Sequence, residues 1–138
     1  MRKLIGFLTV LISISLLIGC TSSNTVKASL NKEFTLAIGQ SASFSSENLK
    51  IEFLDVTEDS RCAKDVQCPW AGQVSCLLQI TQNGISEQVK LTQPGLSDAG
   101  AGQTVGNYNY KFTVEPYPES TRQIEKKDYR LKMTVSKP

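Results

Sequence analysis

Histidine is absent from all 138 residues. That removes the commonest general base, along with every Ser-His and Cys-His nucleophile arrangement. It also removes the imidazole on which most zinc and copper sites draw. Excess charge is missing too, with 15 basic residues against 13 acidic ones. Arg2 and Lys3 account for that whole difference, so the chain beyond residue 19 is balanced. A balanced surface gives nucleic acid no electrostatic footprint and adds no polybasic attraction to lipid. The sequence shows no internal repeat, and no second long apolar run follows residue 18. Nothing further is therefore expected to cross a membrane. Tryptophan occurs once, as Trp70.

What is present starts with the basic pair Arg2 and Lys3, an uncharged and mostly apolar run over residues 4–18, and then Gly19 and Cys20. A basic flank, a short apolar core and a small residue make a secretory signal, too short for a comfortable spanning helix. The ending Leu17-Ile18-Gly19-Cys20 resembles the lipobox of bacterial lipoproteins. The resemblance implies cleavage before Cys20 and a thioether-linked diacylglycerol on its sulfur. It also implies a further acyl chain, usually palmitate, on the new amino group. Two or more chains hold a protein stably on a bilayer, where one alone is marginal. The competing readings are an ordinary signal peptide or an uncleaved anchor. Three regions follow: a signal peptide over 1–19, a lipidated flexible tether over 20–32 and one domain over 33–138. Thr21 to Asn31 is small and polar with no period, and a coil of that length spans roughly 15–20 Å r.m.s.. The expected location is extracytoplasmic, on the cell membrane or the outer membrane. Thr21 carries no aspartate-type retention signal, which in a Gram-negative host favours the outer membrane.

The other cysteines divide by context. Cys62 and Cys68 lie six positions apart in a polar loop, and in an exported protein that pair is most simply a disulfide. Closing so short a loop contributes about 2 kcal/mol, so its main effect is to fix the loop's shape. Cys76 alternates with Val74, Leu78 and Ile80, which places it on an inward strand face as a small hydrophobe. A reactive thiol or a swapped disulfide is the competing reading. No Cys-x-x-Cys spacing supports a thiolate metal site.

Beyond the tether the hydrophobic period is two. Phe34, Leu36 and Ile38 alternate, as do Ala42 and Phe44, and then Leu49, Ile51, Phe53 and Asp55. Residues 73–82 end in Asn83-Gly84, the strongest short hairpin signal. A two-residue turn there pairs Gln82 with Ile85, Leu78 with Val89 and Cys76 with Leu91, keeping the apolar residues on one face. Tyr108, Tyr110, Phe112 and Val114 form a strand that stops before Pro116 and Pro118, and Tyr129, Leu131, Met133 and Val135 form the last. Seven short strands predict an all-β fold, a single antiparallel β-sandwich of immunoglobulin-like type, with a small closed barrel as runner-up. The one helical candidate is a polar turn over residues 120–127.

The segment Asp59-Ser60-Arg61-Cys62, then Cys68-Pro69-Trp70-Ala71-Gly72-Gln73-Val74, resembles a motif of small exported bacterial lipoproteins that have no assigned activity. The similarity covers most of residues 33–135, including the strand over residues 49–56 and Pro116-Tyr117-Pro118. Ala63 stands where that group usually has proline, which leaves the loop's turn geometry open. The resemblance implies a β-sandwich lipoprotein and carries no activity with it. Two readings of the motif compete. In one, Asp59 and Arg61 bond to the loop or to each other, Trp70 covers the end of the core, and Gly72 permits a close approach. In the other, Asp59, Arg61 and Trp70 frame a ligand-binding loop facing away from the anchor, since rigid loops commonly present binding residues.

Asp55, Glu58, Asp59 and Asp65 offer oxygen ligands but lack a calcium-loop pattern. The glycine-rich stretch from Gly95 to Gly106 lacks Gly-Lys-Ser/Thr, so it reads as a mobile loop rather than a phosphate cradle. No catalytic residue, cofactor or metal is assigned. The expectation is a monomeric, non-catalytic binding module held to the membrane by its lipid. Its further partner would be an envelope protein or a small ligand. Two alternatives stand behind it: a protease inhibitor acting through its loops, and a metal carrier.

Overall fold

The computed structural model describes residues 24–95 and 100–138. The signal peptide, Cys20 and residues 21–23 lie outside the described residues, as do residues 96–99 of the glycine-rich stretch. Among the described residues the fold is all-β, with two sheets packed face to face as a β-sandwich. The first sheet runs β1 (Thr25–Lys27), β3 (Ser41–Phe44), β4 (Leu49–Asp59), β5 (Gln73–Gln82), β6 (Ile85–Pro94). The second runs β2 (Glu33–Ala37), β9 (Arg130–Ser136), β8 (Tyr108–Glu115), β7 (Ala101–Val105). Every pairing is antiparallel except β1 with β3.

Period-two alternation builds the core directly, because successive side chains on a strand point to opposite faces. Ile51, Phe53, Cys76, Leu78 and Leu91 from one sheet meet Leu36, Phe112, Leu131 and Val135 from the other, all essentially inaccessible. Each fully buried Leu, Ile or Phe contributes about 1.5–3 kcal/mol. Phe34 of β2 meets Phe44 of β3 edge to face across the sandwich, with ring centroids 5.5 Å apart. The hairpin register is the one the Asn83-Gly84 turn implies, from Gln82–Ile85 down to Cys76–Leu91. Asn83 and Gly84 both adopt positive φ, as a tight two-residue turn requires.

Four features depart from the sequence expectations. The strand order is not the immunoglobulin one. That fold keeps at most two consecutive strands in one sheet before crossing to the other, whereas β3 to β6 lie side by side as an unbroken meander. The stretch expected to be a tether already contains β1, paired in parallel with β3 from Thr25 to Lys27. An edge strand needs only backbone partners, so a polar sequence can take the place without alternation. Part of the glycine-rich stretch is also strand, β7, where Gly102 pairs with Lys111. The polar turn over residues 120–127 forms no α-helix and is helical only at its end. It holds a bridge between Glu119 and Arg122, followed by a short 3-10 turn at Lys126–Asp128. Irregularities in β4 at Phe53/Asp55 and Val56/Glu58 turn Val56 inward and leave Asp55 half-buried, bonded to Lys126 at 2.6 Å.

The two ends of the sandwich differ. One carries tight turns, at Asn31, Asn48, Asn83-Gly84 and Gly106. The other carries the long connections, residues 60–72 and 116–129. Strand β1 rises from the second end toward the first, as β3 does.

Candidate functional site

The motif residues lie at the long-loop end, between β4 and β5. Cys62 and Cys68 form a disulfide, and Cys62 is buried. Ladder-like bonds continue past the strands: Ser60 N–H donates to the Gln73 carbonyl at 2.8 Å, and Cys62 N–H to the Ala71 carbonyl at 3.2 Å. Gly72 lies so close to the opposite chain that a Cβ would sit 1.8 Å from the Ser60 carbonyl oxygen. Only glycine fits there, and its φ of +68° is a second reason.

Arg61 is wholly enclosed. Its Nε donates to Asp59 Oδ1 at 2.8 Å and its Nη2 to Asp59 Oδ2 at 2.7 Å, a bidentate pair. Nη1 donates to the Val114 carbonyl at 2.7 Å, and Nη2 also donates to the Pro116 carbonyl at 3.0 Å. The Tyr117 ring lies 5.0 Å from the guanidinium carbon. The Tyr129 hydroxyl donates to Asp59 Oδ2 at 3.0 Å, and burial first, then the Asp59 carboxylate, pushes its pKa up to about 12. Asp59 and Arg61 therefore serve each other and the second sheet. The cavity beside them, about 220 Å³ between Pro118, Arg122 and Ile124, is smaller than the roughly 300 Å³ at which small-molecule pockets begin.

The disulfide loop is also fastened to the connection between β8 and β9. Lys64 N–H donates to the Pro118 carbonyl at 3.0 Å, and the Lys64 ammonium pairs with Glu119. Asp65 accepts from the Ser120 N–H at 2.8 Å and from its hydroxyl, which hold the Asp65 carboxyl below its ordinary pKa. Trp70 behaves oppositely. It does not cover the core end as one reading expected, and 66% of it is exposed. Val66, on the same loop, is 47% exposed. A rigid loop thus holds two apolar side chains out into solvent.

Of the three candidate binding residues, the structure joins Asp59 to Arg61 inside the protein and leaves Trp70 alone available for contact. The carboxylates weighed as calcium ligands go to separate partners: Asp55 to Lys126, Glu58 to Gln73, Asp59 to Arg61 and Asp65 to Ser120. No group of three or more Cys, Asp or Glu able to hold a metal occurs among the described residues. Cys76 is a buried free thiol whose pKa burial pushes up to about 12, so it is core rather than nucleophile.

Sequence reasoning missed the roles of Tyr129, of the Val114 backbone and of Gln93, whose Oε1 accepts the Val114 N–H at 2.9 Å. Tyr129 carried only a strand signal, and a carbonyl acceptor has no sequence signature. It also missed an open hollow of about 550 Å³ over β7 to β9, lined by Gly100, Gly102, Asn109, Lys111, Thr134 and Ser136 among others. No protein-family model, curated protein or solved structure matches this chain.

Proposed function

We propose that the chain is a lipid-anchored, extracytoplasmic binding module of a bacterial envelope, non-catalytic, making contact through the tip of the disulfide loop around Trp70. The observation carrying this reading is the exposure of Trp70 on a loop held by the Cys62–Cys68 disulfide and the Asp59–Arg61 pair. An exposed indole on a preorganised loop is costly for solubility and useful for binding, because little side-chain freedom is lost on contact. The anchor half of the reading rests on Leu17-Ile18-Gly19-Cys20.

The inhibitor alternative draws on the glycine-rich stretch and on Trp70, and five residues of that stretch are tied into the ladder with β8. The disulfide loop is the better presented element.

Two measurements test the proposal. Mass spectrometry of the N-terminal peptide should find Cys20 diacylated, and Cys20→Ser should move the protein out of the membrane fraction. Envelope material should be retained by the parent domain and lost with Trp70→Ala. Equal retention by both removes Trp70 from the contact.

A further inference from the structure

We infer that the partner of the Trp70 tip is the bilayer itself: the disulfide-loop end of the sandwich rests on the membrane that holds Cys20, with the indole in the headgroup region. This rests on the lipid-anchor reading above and reverses the expectation that the loop faces away from the anchor.

The argument starts from the distance between Cys20 and the first pairing of the domain. Asn24 already bonds into the first sheet, its carbonyl accepting from Ser41 N–H at 2.9 Å. Four residue steps separate Cys20 from Asn24, a reach of about 14 Å when fully extended. Through Gln40 and Phe53, Asn24 lies level with Leu78. From Leu78 to the Asn83-Gly84 turn is roughly 17 Å at about 3.4 Å per residue, beyond the reach of Cys20. From Leu78 to Val74, where β5 meets the end of β4, is roughly 14 Å, and the N-terminal end of β1 faces that way.

A link of that length cannot carry Cys20 farther along the strands than about the level of Val74, and residues 60–72 continue past the strand ends there. A lipid on Cys20 fixes its glycerol in the headgroups. The loop past that level then meets or enters the same layer. Its chemistry suits the location. Tryptophan favours membrane interfaces, where its apolar body and its N–H face different media. Most charged side chains of this end meet an opposite charge, Lys64 with Glu119, Arg122 with Asp128, Lys126 with Asp55 and Lys127 with Glu125, while Asp65 bonds to Ser120 and Arg130 to the Lys127 and Tyr129 carbonyls. Such an end carries no polybasic patch, so contact does not depend on anionic lipid.

Trp70 is the sole tryptophan, so its fluorescence reports this contact without interference. The lipidated full-length protein is reconstituted into phosphatidylcholine vesicles, with and without lipids brominated near the glycerol end of the acyl chain. Expected are a blue-shifted emission, strong quenching by the bromolipid and a several-fold fall in acrylamide quenching, all insensitive to salt. A second variant, Trp70→Phe with Ile85→Trp, moves the indole to the opposite end, where Ile85 is 77% exposed. That indole should stay open to acrylamide and unquenched by bromolipid. Flotation of the vesicles separates the two possible failures. Protein that does not float removes the anchor and this inference together. Protein that floats while its Trp70 stays open to acrylamide and untouched by bromolipid overturns this inference alone and leaves the tip for another envelope component.

Discussion

The Arg61 guanidinium completes the edge of β8 at Val114. The β7–β8 ladder ends at Ala101 and Phe112, two residues short of Val114. From there, one side chain of the disulfide loop and one of β6 take over. Arg61 Nη1 donates to the Val114 carbonyl at 2.7 Å, and the Gln93 Oε1 accepts the Val114 N–H at 2.9 Å. Gln93 is itself buried. Backbone groups buried without partners are costly, so these two side chains substitute for the missing strand. They also fasten the two sheets to each other at the end that carries the disulfide loop.

Arg61→Ala leaves the Asp59 carboxylate enclosed without its counter-charge and strips the Val114 and Pro116 carbonyls of a donor. Breaking a buried pair by removing one partner costs about 3–5 kcal/mol. A lower urea midpoint with an unchanged slope is expected. Arg61→Lys should recover little, since an ammonium cannot reproduce the bidentate fork. The double change Asp59→Asn with Arg61→Met should be milder than Arg61→Ala, because no charge is left enclosed. A loss under about 1 kcal/mol for Arg61→Ala would show that the network holds nothing together.

Gly72 and Gly39 separate crowding from backbone strain. Both have positive φ, +68° and +83°, but a Cβ at Gly39 meets open space while one at Gly72 meets the Ser60 carbonyl. Gly39→Ala should lose about 1 kcal/mol from the left-handed conformation alone. Gly72→Ala should lose clearly more and should loosen the disulfide loop. Thermal melts of the two variants side by side provide the comparison, and equal losses would mean that the Ser60 approach relaxes without cost.

The fold was largely legible because burial follows period-two alternation, and one turn, Asn83-Gly84, fixed a ten-residue register. What stayed hidden follows from the same rule. Strand β1 joins the sheet through its backbone, and β7 contains Gly102, so neither shows a convincing alternating face. The β-sandwich is as expected, but its immunoglobulin-like detail is not confirmed, because alternation identifies faces and not strand order. At the site, a bond between Asp59 and Arg61 was one of the readings the motif allowed. The carbonyls that accept from Arg61, Val114 on β8 and Pro116 just past it, lie more than fifty residues away and were not legible. Trp70 went the other way. Hydrophobicity argues for burial, and only the three-dimensional path of the loop turns the indole outward.

The disulfide and the indole should separate stability from contact. Replacing Cys62 and Cys68 by serine reopens a short loop and should cost about 2 kcal/mol. Trp70→Ala, removing a side chain that is mostly in solvent, should stay within about 0.5 kcal/mol. Denaturation curves test both. Fluorescence anisotropy of Trp70 should fall on reduction, since the loop that holds it loses its covalent closure. A Trp70→Ala variant as damaged as the cysteine double mutant would mean that the indole packs rather than presents.

Alkaline pH should unfold the domain through its buried weak acids. Burial pushes the Cys76 thiol from 9.0 to about 12, and the Tyr110 and Tyr129 hydroxyls from 10.0 to about 12. Tyr129 is raised further by the Asp59 carboxylate beside it. For each group the folded pKa lies above the unfolded one, so the native state favours the neutral form. The stability they contribute is whole below about pH 9 and drains away as pH climbs to about 12. Cys76 loses its share first, from the lower starting value, and Cys76→Ala should flatten the early part of the decline while lowering the baseline through the cavity it leaves. Urea midpoints across this range, followed with tyrosinate absorbance, test the sequence of events. Native tyrosines that all ionise near their ordinary value without loss of structure, or a Cys76 thiol that reacts rapidly with a disulfide reagent at neutral pH, would show that the core is open to water and that its burial does not govern these groups.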